Sequence, residues 1–219
     1  MDIVRSTFEA LDAPSRLHSS MRIHEVRTVV GQAMEPHLDD LARLRMTVFS
    51  EWPYLYAGSY RYEFDYLQTY LRSPFSLAVL VLDEGRVVGA ATGIPLVHES
   101  AEMLAPFARS SVQPEEVFYL GESVLLPAYR GRGLGHRFFE EREAHARAFG
   151  SYAWTGFAAV VRADDDPRRP PFHRGNEGFW RKRGYQPRDG LTLSMRWPEP
   201  ERGDVDHDLA FWMRPLERI

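Results

Sequence analysis

Hydrophobic and polar positions along the chain fall into two rhythms. "MRIHEVRTVV" alternates and is β-branched, which predicts a first strand. In "HLDDLARLRMTVFSEW", Leu38, Leu41, Leu44 and Val48 recur at helical intervals. The aromatic-rich "WPYLYAGSYRYEFDYLQTYL" reads as a loop and then a second helix. In "FSLAVLVLDEGRVVGAATGIPL" two apolar runs flank Asp83-Glu84-Gly85, a tight-turn signal that predicts an antiparallel hairpin. "SAEMLAPFA" suits a short helix, and "VFYLGESVLLP" an apolar strand ended by Pro127. "HRFFEEREAHARAFG" predicts a helix closed by Gly150 as its C′ residue. "YAWTGFAAVVR" reads as a strand, "DDDPRRPPFHRG" as a loop and "EGFWRKRGY" as a short helix ending at Gly184. "LTLSMRW" and "LAFWMRPL" are strands separated by a polar turn region. Hairpins mixed with helix crossovers predict an α+β fold with a mixed sheet. No internal repeat or linker calls for a second domain, so residues 21–219 form one domain behind an extension over residues 1–20.

Composition removes several classes of function. The 219 residues, 44% hydrophobic and 26% charged, suit one soluble globular domain. A net charge of −4 gives no reason to expect nucleic acid, whose binding runs on phosphate neutralisation. Of 27 basic residues only Lys182 is lysine, a bias along the whole chain that reads as codon composition. Without cysteine there is no disulfide, thiolate metal site or cysteine nucleophile. No apolar run approaches the roughly 20 residues of a membrane span, and the first residues lack a basic-then-apolar signal pattern. A cytoplasmic protein with no membrane partner is expected. The eight histidines are scattered with no i, i+4 pair, and "DVDHD" lacks the glycine and glutamate of a calcium loop, so no metal is expected.

The chemistry concentrates in "PAYRGRGLGHRFF", where Gly131, Gly133 and Gly135 alternate among arginines before a helix. The first N–H groups of a helix lack internal partners and carry partial positive charge. Glycines let successive amides converge on an anion, and arginines add charge. The plainer alternative is a solvated turn. A Walker loop fails because Gly135 is followed by His136-Arg137, and a dinucleotide fingerprint fails on glycine spacing and position.

The pattern [Q/R]-x-x-G-x-[G/A], met by Arg130, Gly133 and Gly135, resembles the acetyl-CoA loop of the GNAT superfamily of N-acetyltransferases. "LGESVLLPAYRGRGLG" before it and "FWRKRGY" after it are similar to the family's flanking segments, so the resemblance runs from about Met21 to Leu216. It implies a mostly antiparallel central sheet flanked by helices, and acetyl-CoA as cosubstrate. It assigns the pyrophosphate to the backbone of Gly131, Arg132, Gly133, Leu134, Gly135 and His136, with Arg130 opening the turn. It assigns the pantetheine arm to the backbone of Ser123, Val124 and Leu125, the Leu125 N–H polarising the thioester carbonyl. Arg137 and Arg169 are candidates for the 3′-phosphate.

Amine acetylation needs a deprotonated amine, donors for the oxyanion and a route for the thiolate. Glu122, at the end of an apolar strand, is the candidate base, and burial there would favour proton uptake; the alternative is a carboxylate that only positions the amine. Many relatives carry tyrosine as an acid where this chain has Trp180, whose indole is no usable acid. Either Tyr119, Tyr129 or His173 supplies the proton, or the thiolate leaves unaided. Direct attack is expected, since no cysteine can hold an acyl group. Tyr54, Tyr56 and Glu51, in the aromatic stretch, are the candidate acceptor-binding residues. Together these imply an N-acetyltransferase acting on a primary amine, of a small molecule or alternatively of a protein N-terminus or lysine. A CoA-binding sensor without turnover stays open, as does a homodimer formed through the final strands.

Overall fold

In the computed structural model, which describes residues 24–217, the expected N-terminal extension lies outside the described residues. Glu84 and Gly85, at φ 50° and 79°, make the predicted turn between β2 (Leu77–Asp83) and β3 (Arg86–Pro95). Leu77 to Leu82 are all buried, as expected of a strand covered on both faces. On its outer side β2 pairs with β1 (Glu25–Val30). Helices α1 (Leu38–Phe49) and α2 (Tyr60–Arg72) follow β1, and Ser59 caps α2 by accepting from the Tyr62 N–H at 3.3 Å.

After β3 come the single turn α3 (Ala101–Leu104), then β4 (Val117–Tyr119), β5 (Ser123–Leu125) and α4 (Leu134–Phe149). The last elements are β6 (Trp154–Val160), α5 (Glu177–Lys182), β7 (Gln186–Glu199) and β8 (Gly203–Pro215). The sheet runs β1-β2-β3-β4-β6-β8-β7, with β5 paired to β3 off this path. Among the described residues, only β4 and β6 run parallel. This is the α+β architecture with a mixed sheet that the pattern predicts, mostly antiparallel as the resemblance implies. Gly150, at φ 68°, ends α4.

Two expectations need correction. "VFYLGESVLLP" is not one strand: it breaks between Tyr119 and Ser123 into β4 and β5. The polar stretch before "LAFWMRPL" is not a long turn, since β7 and β8 extend to Glu199 and from Gly203. Their cross-strand pairing carries the polar residues Asp204, Asp206 and Asp208 into the ladder.

Candidate active site

The break in the middle strand is made by residues of other elements. Gly121 N–H donates to Thr92 C=O at 3.1 Å, and Thr92 N–H donates to Glu122 C=O at 3.1 Å. Two residues facing one make a β-bulge. A Cβ at Gly121 would collide with the Tyr70 hydroxyl and Thr92 Oγ1, so only glycine fits this approach. Leu120 N–H still donates to Gly156 C=O at 2.8 Å, but beyond it β5 follows β3 while β6 follows β8. The divergence opens a cleft of about 640 Å³.

Alternate residues of a strand turn their backbone groups to opposite sides. Glu122 C=O and Leu126 N–H are taken by β3, so the groups of Ser123 and Leu125 face the diverging side. The buried Val124 pairs with Ala90, which keeps its backbone on the β3 side; the expected cleft-facing role does not suit it. Leu125 C=O accepts from Arg130 Nε at 2.9 Å.

From one face of the sheet, α4 sends Arg142 to the bulge, 1% exposed. Its Nε donates to Phe138 C=O (3.0 Å), Nη1 to Thr92 C=O (3.1 Å) and Glu122 C=O (3.0 Å), and Nη2 to Ser123 Oγ (2.8 Å). Burial lowers its pKa to about 10. From the other face, α1 sends Arg45 to the carboxylates. Its Nη1 lies 2.6 Å from Glu122 Oε2, and its Nε 2.5 Å from Glu63 Oε2. Burial opposes the Arg45 charge, yet Glu122, Tyr66 and Glu63 outweigh it and raise the pKa well above the ordinary value. The contact with Glu122 is a charge contact off hydrogen-bond geometry, for neither Glu122 oxygen has a hydrogen-bond partner among the described residues. Glu122, 5% exposed, is therefore a compensated carboxylate with acceptor capacity left over. Behind it, Tyr66 and Tyr70 hydroxyls meet at 3.0 Å and Tyr70 donates to Glu99 at 3.2 Å. Burial raises the Glu99 pKa to about 7.

At the glycine turn ahead of α4, Gly131 and Gly133 adopt φ 75° and 81°, where any side chain would be strained. The His136 N–H is spent on Gly133 C=O at 3.0 Å. The amides of Arg132, Gly133, Leu134 and Gly135 have no backbone acceptor among the described residues. Arg132 folds its side chain back onto Ala128 C=O (2.9 Å) and over the Tyr129 ring. Arg137 pairs with Glu141 at 2.8 Å, whereas Arg169, paired with Asp164 at 3.2 Å, lines the cleft.

The aromatic stretch contributes less than expected. Tyr54 lines the cleft against Phe49 and Trp197, and burial pushes its hydroxyl up to about 12. Tyr56 does not line it, lying buried against Tyr62. Glu51 reaches the cleft but is engaged by Arg130 Nη2 at 2.8 Å. Trp52 faces His173 of the long loop, ring centroids 6.2 Å apart, both lining the cleft. Arg162 holds the stretch from behind, donating to Pro53 C=O (2.7 Å) and Tyr54 C=O (2.9 Å) while paired with Glu199 at 2.7 Å. Trp180 also lines the cleft, packed on Phe157 and Trp212. Of the candidate donors, Tyr129 is spent on Asp83 at 2.7 Å and Tyr119 is buried; His173 alone of the three lines the cleft. Among the described residues, no group of three metal-binding side chains converges, and no helix is long and apolar enough to cross a membrane.

Sequence reasoning missed Arg45 and Arg142. A signal was present: Arg45 falls four residues after Leu41 and Arg142 four after Phe138, charged residues inside apolar helical stripes.

The acetyltransferase (GNAT) family profile matches residues 41–175, more than half of the chain. No curated protein sequence matches significantly. Among solved structures, an N-acetyltransferase from Staphylococcus aureus Mu50 is similar at 13% identity and TM-score 0.55, covering 89% of this chain and 99% of its own. A Salmonella typhimurium protein solved with its cofactor acetyl-CoA is 13% identical at TM-score 0.52, covering 90% of this chain and 96% of its own. A ribosomal-protein-alanine N-acetyltransferase from Brucella melitensis is 17% identical at TM-score 0.52, covering 88% and 99%. At such identities the likeness is one of fold.

Proposed function

The chain belongs to the acetyltransferase (GNAT) family, whose members transfer acetyl groups from acetyl-CoA, and on that premise we propose that it acetylates the primary amine of a small molecule by direct attack. The observation carrying this reading is the divergence of β5 from β6 directly beside Glu122. The residues fit a long, phosphate-bearing thioester. Free amides at Arg132 to Gly135 suit its phosphates, and the outward backbone groups of Ser123 and Leu125 suit an extended arm. The thioester supplies an activated acyl carbon and a thiol leaving group.

The protein's own residues then divide the work. Glu122, with neither carboxylate oxygen hydrogen-bonded and Arg45 balancing its charge, accepts the proton of the incoming amine. Leu125 N–H is the donor for the carbonyl oxygen as it gains charge. Arg130 holds the following peptide by donating to the Leu125 carbonyl. The acceptor half of the cleft is walled by Trp52 and Tyr54 and bridged by the Trp52–His173 contact. That enclosure favours a small amine over a folded protein, and the volume shared with the cofactor arm is of small-molecule scale.

Calorimetric titration with acetyl-CoA, against CoA and NAD as comparators, tests the premise. Acetyl-CoA and CoA should bind and NAD should not, with binding lost in Gly133→Val. Absence of any CoA binding would overturn the reading. Glu122→Gln should then lower kcat by about 10²- to 10⁴-fold while leaving acetyl-CoA affinity unchanged.

A further inference from the structure

Ser123 and Glu122 are neighbours in one strand whose side chains meet opposite electrostatic surroundings. On the Glu122 side, two carboxylates, Glu63 and Glu122, share one guanidinium, Arg45. On the Ser123 side stands Arg142, with no carboxylate within ion-pair distance among the described residues. Its hydrogen bonds run to three backbone carbonyls and the Ser123 hydroxyl, leaving one of its five N–H groups unassigned. The titratable groups around it are Glu122 on the bulge, Glu143 on its own helix, Tyr70 of α2 and Tyr185 ahead of β7. Glu143 is already surrounded by Arg147, Arg183 and Arg214, and Tyr185 donates to it at 3.0 Å. Arg142 is thus a buried cation that feels Tyr185, Glu122 and Glu143 through the field but has no ion-pair partner among the described residues, and it lines the cleft.

We propose that the Ser123 hydroxyl donates the hydrogen bond that receives the departing sulfur, and that Arg142 is the positioning residue that aims and polarises it. This rests on the acetyl-transfer reading above. Because Ser123 Oγ accepts from Arg142 Nη2 at 2.8 Å, its own proton is turned elsewhere, and Ser123 is exposed within the cleft. In the transfer, the nitrogen–carbon bond forms and the carbon–sulfur bond breaks. The nitrogen gives a proton to Glu122, and the sulfur leaves with the bonding pair as a thiolate. Negative charge therefore moves from the side holding two carboxylates to the side holding a guanidinium without an ion-pair partner, the direction in which the fixed charges favour it. Trp180, packed among Phe157 and Trp212, offers no acid for that sulfur, and Tyr129 is committed to Asp83.

The test needs no acceptor. The thiolate absorbance of CoA bound to the full-length protein is followed against pH, with the desulfo-CoA complex as blank and free CoA as reference. Bound CoA should ionise about one to three pH units below free CoA. Ser123→Ala should return most of that shift, and Arg142→Gln all of it. Should Arg142→Gln fail to fold, Ser123→Ala, a cleft-exposed substitution, still decides. CoA that binds but ionises as in solution, or a shift that survives Ser123→Ala, would overturn this proposal and leave acetyl transfer intact. Failure of both CoA and acetyl-CoA to bind would instead remove the underlying reading.

Discussion

Arg45 and Arg142 approach the same bulge from opposite faces of the sheet, and both are buried. Arg45 is clamped between Glu63 and Glu122, and its pKa rises although burial opposes it. Arg142 hydrogen-bonds carbonyls and a hydroxyl rather than carboxylates, and burial lowers its pKa to about 10. Both remain cations at neutral pH. What separates them is where their charge is spent. Arg45 spends it on the carboxylates it holds in place, whereas Arg142 anchors backbone through hydrogen bonds and keeps its charge available to the cleft.

The sharpest way to break this comparison is to remove each cation in turn. Arg45→Met strands two buried carboxylates and should destabilise the protein by about 3–5 kcal/mol in urea unfolding. Arg142→Gln leaves backbone carbonyls without their donors and should lose about 3 kcal/mol, measured the same way. Gly121→Ala acts on the bulge the two arginines share. Its Cβ must displace Tyr70 and Thr92, so we expect about 1–3 kcal/mol of destabilisation, together with weaker acetyl-CoA binding in calorimetry. An effect of similar size tests whether the Glu122 face is the acid-rich one. Glu99, raised to about 7 from 4.5, holds its proton more tightly folded than unfolded. Its contribution is complete below about pH 4.5 and lost as pH rises through 7. Thermal unfolding should show stability falling by about 1–3 kcal/mol over that window, and Glu99→Gln should flatten the fall. The smallest effect belongs to Glu51→Gln, which removes an exposed pair with Arg130 and should cost less than about 0.5 kcal/mol in the same assay.

Most of the fold was legible because its signals are local. The Glu84-Gly85 turn, the helical spacing of Leu38, Leu41 and Leu44, and the Gly150 stop each depend on a few consecutive residues. The bulge was not legible. "LGESVL" has the composition of an unbroken strand, and what breaks it is Tyr70 and Thr92 arriving from distant elements. In the candidate site, the glycine loop and Glu122 stood out because glycine spacing, a carboxylate and a strand boundary are all visible in the residues themselves. The acceptor side was overread from aromatic content. Tyr54 reaches the cleft, but Tyr56 packs inside and Tyr62 faces solvent, and tyrosine serves both uses equally well. Arg45 and Arg142 look like ordinary helix arginines until the sheet puts a carboxylate or a carbonyl in front of each.

The segment carrying Trp52 and Tyr54 is gripped by its peptide oxygens. Arg162 takes the carbonyls of Pro53 and Tyr54, Trp197 donates to that of Tyr54 at 3.1 Å, and the Ala57 N–H donates to Pro198 C=O at 2.8 Å. A holder that grips the shank leaves the bit free to be exchanged. The backbone grip does not depend on which side chains stand at positions 52 and 54. Along the proposed acceptor wall, a lineage could therefore retool its choice of amine through point changes there, provided the packing on Arg162 and Trp197 is kept.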